Sequence, residues 1–73
     1  MEVIVTVVRV GDRHGWFSIV NGVGRRAIEG YDKVVFERKA DPTESVSPEE
    51  LLKKTLSEVK AEAEGRGITD ISW

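Results

Sequence analysis

The first ten residues alternate in a way that leaves no polar face. Successive side chains of a β-strand point to opposite sides, so Val3, Val5 and Val7 share one face of this segment. The even-numbered positions from Ile4 to Val10 share the other face, and they too are mainly apolar. The pattern therefore predicts a strand whose two faces both need cover.

A second strand follows with the same two-sided apolar pattern. The segment GDRHG at 11–15 is rich in turn-forming residues and predicts a hairpin loop of about four or five residues. WFSIV at 16–20 then has extended character. Asn21 and Gly22 accept positive φ at little cost, so NGVG at 21–24 predicts a second hairpin turn. The chain therefore begins as an antiparallel sheet.

The segment 25–39 is extended in character but long for one strand, since strands usually have about five or six residues. Gly30 near its middle is typical of a bulge or a tight bend. We interpret the segment as interrupted at EGYD (29–32), with KVVFERK (33–39) resuming the extended pattern. The sequence leaves open whether residues 25–39 form one bulged strand or two.

The strongest local signal is the start of a helix after the polar connection ADPTESVSPEE. Ser47 is placed to act as N-cap, Pro48 suits the first helical position, and Glu50 completes a capping box. Gly65 or Gly67 is placed to end the helix in the left-handed conformation. Spacings of three and four predict a buried stripe made of Leu52, Thr55, Leu56, Val59 and Ala63, with Leu51 at its edge.

These elements predict an α+β fold in one domain, residues 1–73. We expect an antiparallel β-meander of three or four strands, one α-helix packed on one sheet face, and a short final strand in ITDISW at 68–73 (β-β-β-α-β). A strand–helix–strand crossover places that final strand parallel to a neighbour. Because one helix covers one face, the other face must be covered by strand curvature, a second copy or another protein.

Composition narrows the function classes. A chain of 73 residues buries only about 60% of its unfolded surface, so its stability is marginal. The sequence has no cysteine, which excludes disulfides and thiolate chemistry. It shows neither an apolar run long enough to span a membrane nor the pattern of a signal peptide. We therefore expect a cytoplasmic protein without a membrane partner.

Charge and candidate chemistry point away from catalysis. The net charge is −2, so the chain has no excess of basic residues of the kind that a dedicated nucleic-acid binder shows. His14 is the only histidine, and with Asp12 it offers fewer ligands than a zinc site needs; we interpret it as a solvated loop residue. GVGRR at 22–26 is followed by a strand pattern instead of the helix that a dinucleotide site requires. We assign no catalytic, cofactor-binding or metal-binding residue and no small-molecule substrate.

Two binding hypotheses remain. The leading one is a small non-enzymatic interaction protein that forms a homodimer or docks on a protein partner through the sheet face or edge that its helix leaves open. The candidate interface residues are Val3, Val5, Val7, Trp16 and Tyr31.

The main alternative is a nucleic-acid-binding module in which basic hairpins and strand aromatics contact bases and phosphates. Its candidate contact residues are Arg13, His14, Arg25 and Arg26. A second alternative is an artificial or excised domain with no native function. The sequence alone does not choose among the three.

Overall fold

The computed structural model of the protein describes residues 2–24, 28, 30–41, 43 and 45–73. The described elements are β1 (Val3–Val10), β2 (Arg13–Val20), β3 (Val23–Gly24), β4 (Lys33–Lys39) and α1 (Pro48–Gly65). The strands form one antiparallel sheet in the order β3-β2-β1-β4, so β1 is central. The helix packs against this sheet, and the predicted α+β class is confirmed.

Two tight turns join the first three strands. Gly11 (φ 63°) and Asp12 connect β1 to β2, which is shorter than the predicted loop, so residues 13–15 belong to β2. Asn21 (φ 54°) and Gly22 (φ 77°) connect β2 to β3. Positive φ at both central residues is the type I′ geometry that matches strand twist. The predicted hairpin turn at NGVG is confirmed.

The segment 25–39 does not form one strand. Its last seven residues are β4, which pairs with β1, whereas β3 pairs with β2 at the opposite edge of the sheet. The favoured interruption is confirmed at residues 30–32, which are not in a strand, whereas the question of a strand at 25–27 lies outside the described residues. The pairing of β4 with β1 shifts register between Val7 and Val8, which leaves Val35 as an extra residue. Such a bulge increases the local twist of the sheet.

Both ends of α1 follow from local sequence. The Ser47 Oγ accepts a hydrogen bond from the Glu50 backbone N–H at 3.2 Å, as an N-cap does. At the other end Gly67 has φ 81°, and the N–H of Ile68 donates to the carbonyl of Ala63 at 2.9 Å. This is a Schellman motif, and it turns the chain back toward the sheet.

The buried stripe of α1 differs from the prediction at three positions. Its fully buried members are Leu51, Thr55, Val59 and Ala63. Leu52 and Leu56, which were expected to face the sheet, lie half-buried beside this stripe. A row at four-residue spacing drifts around a helix by about 40° per step, and such a row can follow the twist of the sheet beneath it.

The helix covers the face of β1 that contains Val3, Val5 and Val7, which we call the helix face. All three side chains have no exposed surface and pack in one core with Leu51 and Val59. Their prediction as interface residues is therefore wrong. With both faces of β1 apolar, the sequence could not indicate which one the helix would choose.

The opposite face of the sheet, here called the second face, is partly buried by the chain itself. Thr6 and Val8 of β1 lie on this face, and both are buried. β3 and β4 occupy opposite edges of the sheet. Between them along the chain, Ile28 and Tyr31 lie over the second face, as their contacts with β2 show.

Two contacts place the crossing segment, the name used here for the described residues Ile28 and 30–32. Cδ1 of Ile28 lies 2.6 Å from the position that a Cβ atom on Gly15 would take. The ring centroids of Tyr31 and Phe17 are 6.3 Å apart. A glycine in β2 therefore makes room for Ile28, and the crossing segment supplies cover that the sequence analysis assigned to curvature or a partner.

The predicted final strand is reduced to a single bridge. Ile71 pairs with His14 in the parallel direction, and the N–H of Ser72 donates to the His14 carbonyl at 3.2 Å. The direction agrees with the predicted crossover. Because β3 pairs only with Ile19 and Val20, the outer edge near the start of β2 is available for this contact.

Candidate functional site

His14 lies in β2, where it fastens the tail that follows α1. Its Nδ1 is 2.6 Å from Oδ1 of Asp70, and only 19% of its side chain is exposed. The interpretation of His14 as a solvated loop residue is therefore wrong. Its ring and its backbone carbonyl both contact the segment 70–72. His14 therefore holds this segment against β2 at the helix face.

Three arginines are engaged within the fold. Arg38 extends from β4 to the helix, where it pairs with Glu58 at 2.9 Å and Glu62 at 2.5 Å. The guanidinium of Arg66 lies 4.6 Å from the centre of the Phe36 ring, within cation–π range. Both guanidinium groups therefore have partners within the fold.

The third engaged arginine fastens the end of the crossing segment. Arg9 donates two hydrogen bonds to the Asp32 carboxylate, at 3.3 and 3.2 Å. These bonds lower the pKa of Asp32, since they favour the ionised carboxylate. The backbone N–H of Asp32 also donates to the Arg9 carbonyl at 2.9 Å. This contact fixes where the chain enters β4.

The candidate nucleic-acid residues are not gathered by the described part of the structure. Arg13 is exposed at the start of β2, and His14 is bonded to Asp70. Arg25 and Arg26 lie outside the described residues. The nucleic-acid hypothesis therefore stays a prediction that rests on the sequence.

The strand aromatics divide between the two faces. Trp16 lies on the helix face, half-buried, and its Nε1–H donates to the Trp73 carbonyl at 3.2 Å. Tyr31 lies on the second face beside Phe17 and is 49% exposed. Trp16 and Tyr31 therefore cannot contribute to one flat interface, although the sequence analysis grouped them.

Part of the second face remains open beside the crossing segment. We call it the apolar patch, and it consists of Ile4, Phe17, Ile19 and Tyr31. The exposed side chains of Glu37 and Lys39 border it on β4, since these residues pair with Thr6 and Ile4 of the same face. The patch is an apolar surface with one charge of each sign at its border.

A second open feature lies on the other side of the molecule, between α1 and the tail. We call it the helix groove, and it is lined by Lys53, Leu56, Ser57, Lys60 and Trp73. Its volume is about 280 Å³. The lining combines two cations with an apolar floor, and sequence analysis missed it because Trp73 and the helix meet only through the tertiary fold.

The outer edge of β4 is less suited to association. Its seven residues have no strand on that side within the described residues, yet Lys33, Glu37, Arg38 and Lys39 are charged. Charged side chains on an edge strand discourage pairing with another chain. The open sheet surface is therefore the better candidate for contact with a partner.

Searches for other kinds of site add no candidate. The described residues contain no group of three or more histidine, aspartate or glutamate side chains placed to hold a metal ion. Among them there is also no helix whose length and hydropathy together suit a membrane crossing. Comparison with protein-family models, curated proteins and solved structures finds no match to the chain.

Proposed function

We propose that this protein is a non-enzymatic interaction module that self-associates through the apolar patch. The supporting observation is that apolar side chains from two adjacent strands and the crossing segment remain partly exposed on one surface. Ile4 and Ile19 are direct cross-strand partners, and the Phe17 and Tyr31 rings adjoin each other. Contiguous apolar surface on a soluble chain is characteristic of interfaces.

The charges at the border of the patch favour a second copy as the partner. Glu37 and Lys39 are two residues apart on β4 and lie on the same face. A two-fold axis brings residue i of one copy to residue j of the other and j to i. An arrangement that pairs Glu37 with Lys39 across the axis forms two ion pairs, and their steering favours the correct register.

The proposal includes a cytoplasmic location and no catalytic role. A cytoplasmic location fits a sequence without cysteine, because reducing compartments do not support structural disulfides. The apolar patch is a surface for packing against protein. Self-association is therefore the activity to measure.

The test is a lysine substitution within the patch and a matched one outside it. Ile19→Lys places a charge in the proposed contact, and we expect it to weaken self-association by about tenfold or more, because burying an unpaired charge is costly. Val23→Lys is the control, since Val23 is 65% exposed on β3 and pairs with Val20 on the helix face. Sedimentation equilibrium measures the dissociation constant, and circular dichroism checks helix content.

Three results decide the proposal. A folded Ile19→Lys monomer beside a dimeric Val23→Lys variant supports it, and Ile4→Lys repeats the test on the neighbouring strand. A wild-type chain that stays monomeric at millimolar concentration contradicts it. Equal association of the wild type and both patch variants contradicts it as well, because the contact would then lie elsewhere.

A further inference from the structure

The helix groove presents charged and apolar side chains that take no part in the proposed self-association through the second face. It lies on the opposite side of the sheet, where Leu56 and Trp73 supply apolar lining beside two lysines. We infer that this groove binds a short extended peptide segment in which an apolar side chain lies between two carboxylates. This inference does not depend on the proposed homodimer.

The spacing of the lysines sets the length of the peptide. Lys53 and Lys60 are seven residues apart on α1, which corresponds to about 10 Å along the helix axis. An extended chain advances about 3.3 Å per residue and alternates its side chains between two faces, so residues i, i+2 and i+4 present their side chains to the groove over about 13 Å. Because lysine and glutamate side chains are long and flexible, carboxylates at positions i and i+4 can each reach one ammonium group, with the apolar side chain at i+2 between them.

The charge of the groove is available to a ligand. Neither Lys53 nor Lys60 forms an ion pair with a described residue. By contrast, Glu58 and Glu62 of the same helix are occupied by Arg38. A carboxylate that enters the groove therefore meets two ammonium groups without displacing an internal partner.

The apolar part of the groove is fixed in place by the fold. The Trp16 indole N–H holds the Trp73 carbonyl at 3.2 Å, and Ile71 and Ser72 are fastened to β2 next to it. Leu56 packs against the core from the helix. An apolar side chain between the two carboxylates can fill the space between Leu56 and Trp73, while the Ser57 hydroxyl is placed to bond the peptide backbone.

The test uses the peptide Glu-Ala-Leu-Ala-Glu with blocked ends, titrated into the full chain and followed by ¹H–¹⁵N spectra. We expect shifts in the amides of 53–60 and in the Trp73 indole N–H. Gln-Ala-Leu-Ala-Gln and Glu-Ala-Ser-Ala-Glu remove the charges and the apolar side chain in turn, and each should bind about tenfold more weakly or worse, since each removes one half of the recognition.

Matched protein variants separate the groove from general charge attraction. Lys53→Gln with Lys60→Gln should weaken binding by about tenfold, whereas Lys33→Gln with Lys54→Gln removes the same charge outside the groove and should change it little. All four side chains are exposed, so the variants should fold. No shift at millimolar peptide, equal loss in both double variants, or shifts confined to the second face would each overturn the inference.

Discussion

At the scale of single residues, Ser18 is the least satisfied part of the core. It lies in β2 opposite Val5 on the helix face and has no exposed surface. Its Oγ has no hydrogen-bond partner among the described residues. An unpaired buried hydroxyl costs about 1–3 kcal/mol, so the native fold carries this penalty in exchange for a small side chain beneath the helix.

Ser18→Ala removes the hydroxyl and keeps the small volume. We expect the free energy of unfolding to rise by about 1 kcal/mol, which corresponds to an increase in Tm of about 4–8 °C for a domain of this size. Urea and thermal unfolding followed by circular dichroism measure both quantities. A variant less stable than the wild type would show that the hydroxyl has a bonding partner in solution.

Gly15 shows why some residues could not be interpreted from the sequence. Its position within a turn-rich segment predicted a loop, whereas it lies in β2 and leaves space for Ile28. That partner is distant along the chain and belongs to an element with no strong local pattern. By contrast, Asn21 with Gly22 and Ser47 with Glu50 were predictable because each pair acts within a few residues.

At the scale of elements, the helix and the tail differ in how much of their structure could be predicted from the sequence. Capping residues and apolar spacing predicted α1, but Leu51, expected at the edge of the stripe, is fully buried, whereas Leu52 and Leu56 are half-buried. The exact contact row depends on how the helix crosses a twisted sheet. The tail at 68–73 had strand-like alternation, yet its only described bridge is at Ile71.

The burial of α1 predicts a ranking of two leucine substitutions. Leu51 is 1% exposed within the core, whereas Leu56 is half-buried beside the helix groove. Leu51→Ala should therefore lower the free energy of unfolding by about 2–5 kcal/mol, and Leu56→Ala by clearly less. Urea unfolding compares them under one condition. A larger loss for Leu56→Ala would contradict the observed packing of the helix.

At the scale of the whole molecule, the crossing segment changes what a partner must do. The accessible surface of the chain is 4656 Å², close to the roughly 4,500 Å² expected for a folded monomer of this mass. A single chain is thus already compact, and Thr6 and Val8 are covered without a second copy. The proposed dimer therefore forms between folded monomers, by a reversible contact at the apolar patch.

The sequence correctly indicated that both faces of β1 need cover, but it did not indicate that the chain itself covers part of the second face. Ile28 and Tyr31, which contribute to that cover, lie between two strands at opposite edges of the sheet. Strand order depends on pairings between distant segments, which a local pattern of apolar residues does not encode. The part of the second face that stays exposed, around Ile4 and Ile19, is the surface through which the proposed dimer forms.

The most direct test of the proposed function is an isotope-filtered NOE experiment on a mixture of ¹³C-labelled and unlabelled chains. Self-association through the apolar patch predicts intermolecular NOEs between the methyl groups of Ile4 and Ile19 and the rings of Phe17 and Tyr31. A dimer whose intermolecular NOEs arise only from the β4 edge or the helix groove would contradict the proposal. A wild-type chain that gives no intermolecular NOE and sediments as a monomer at millimolar concentration would contradict it as well.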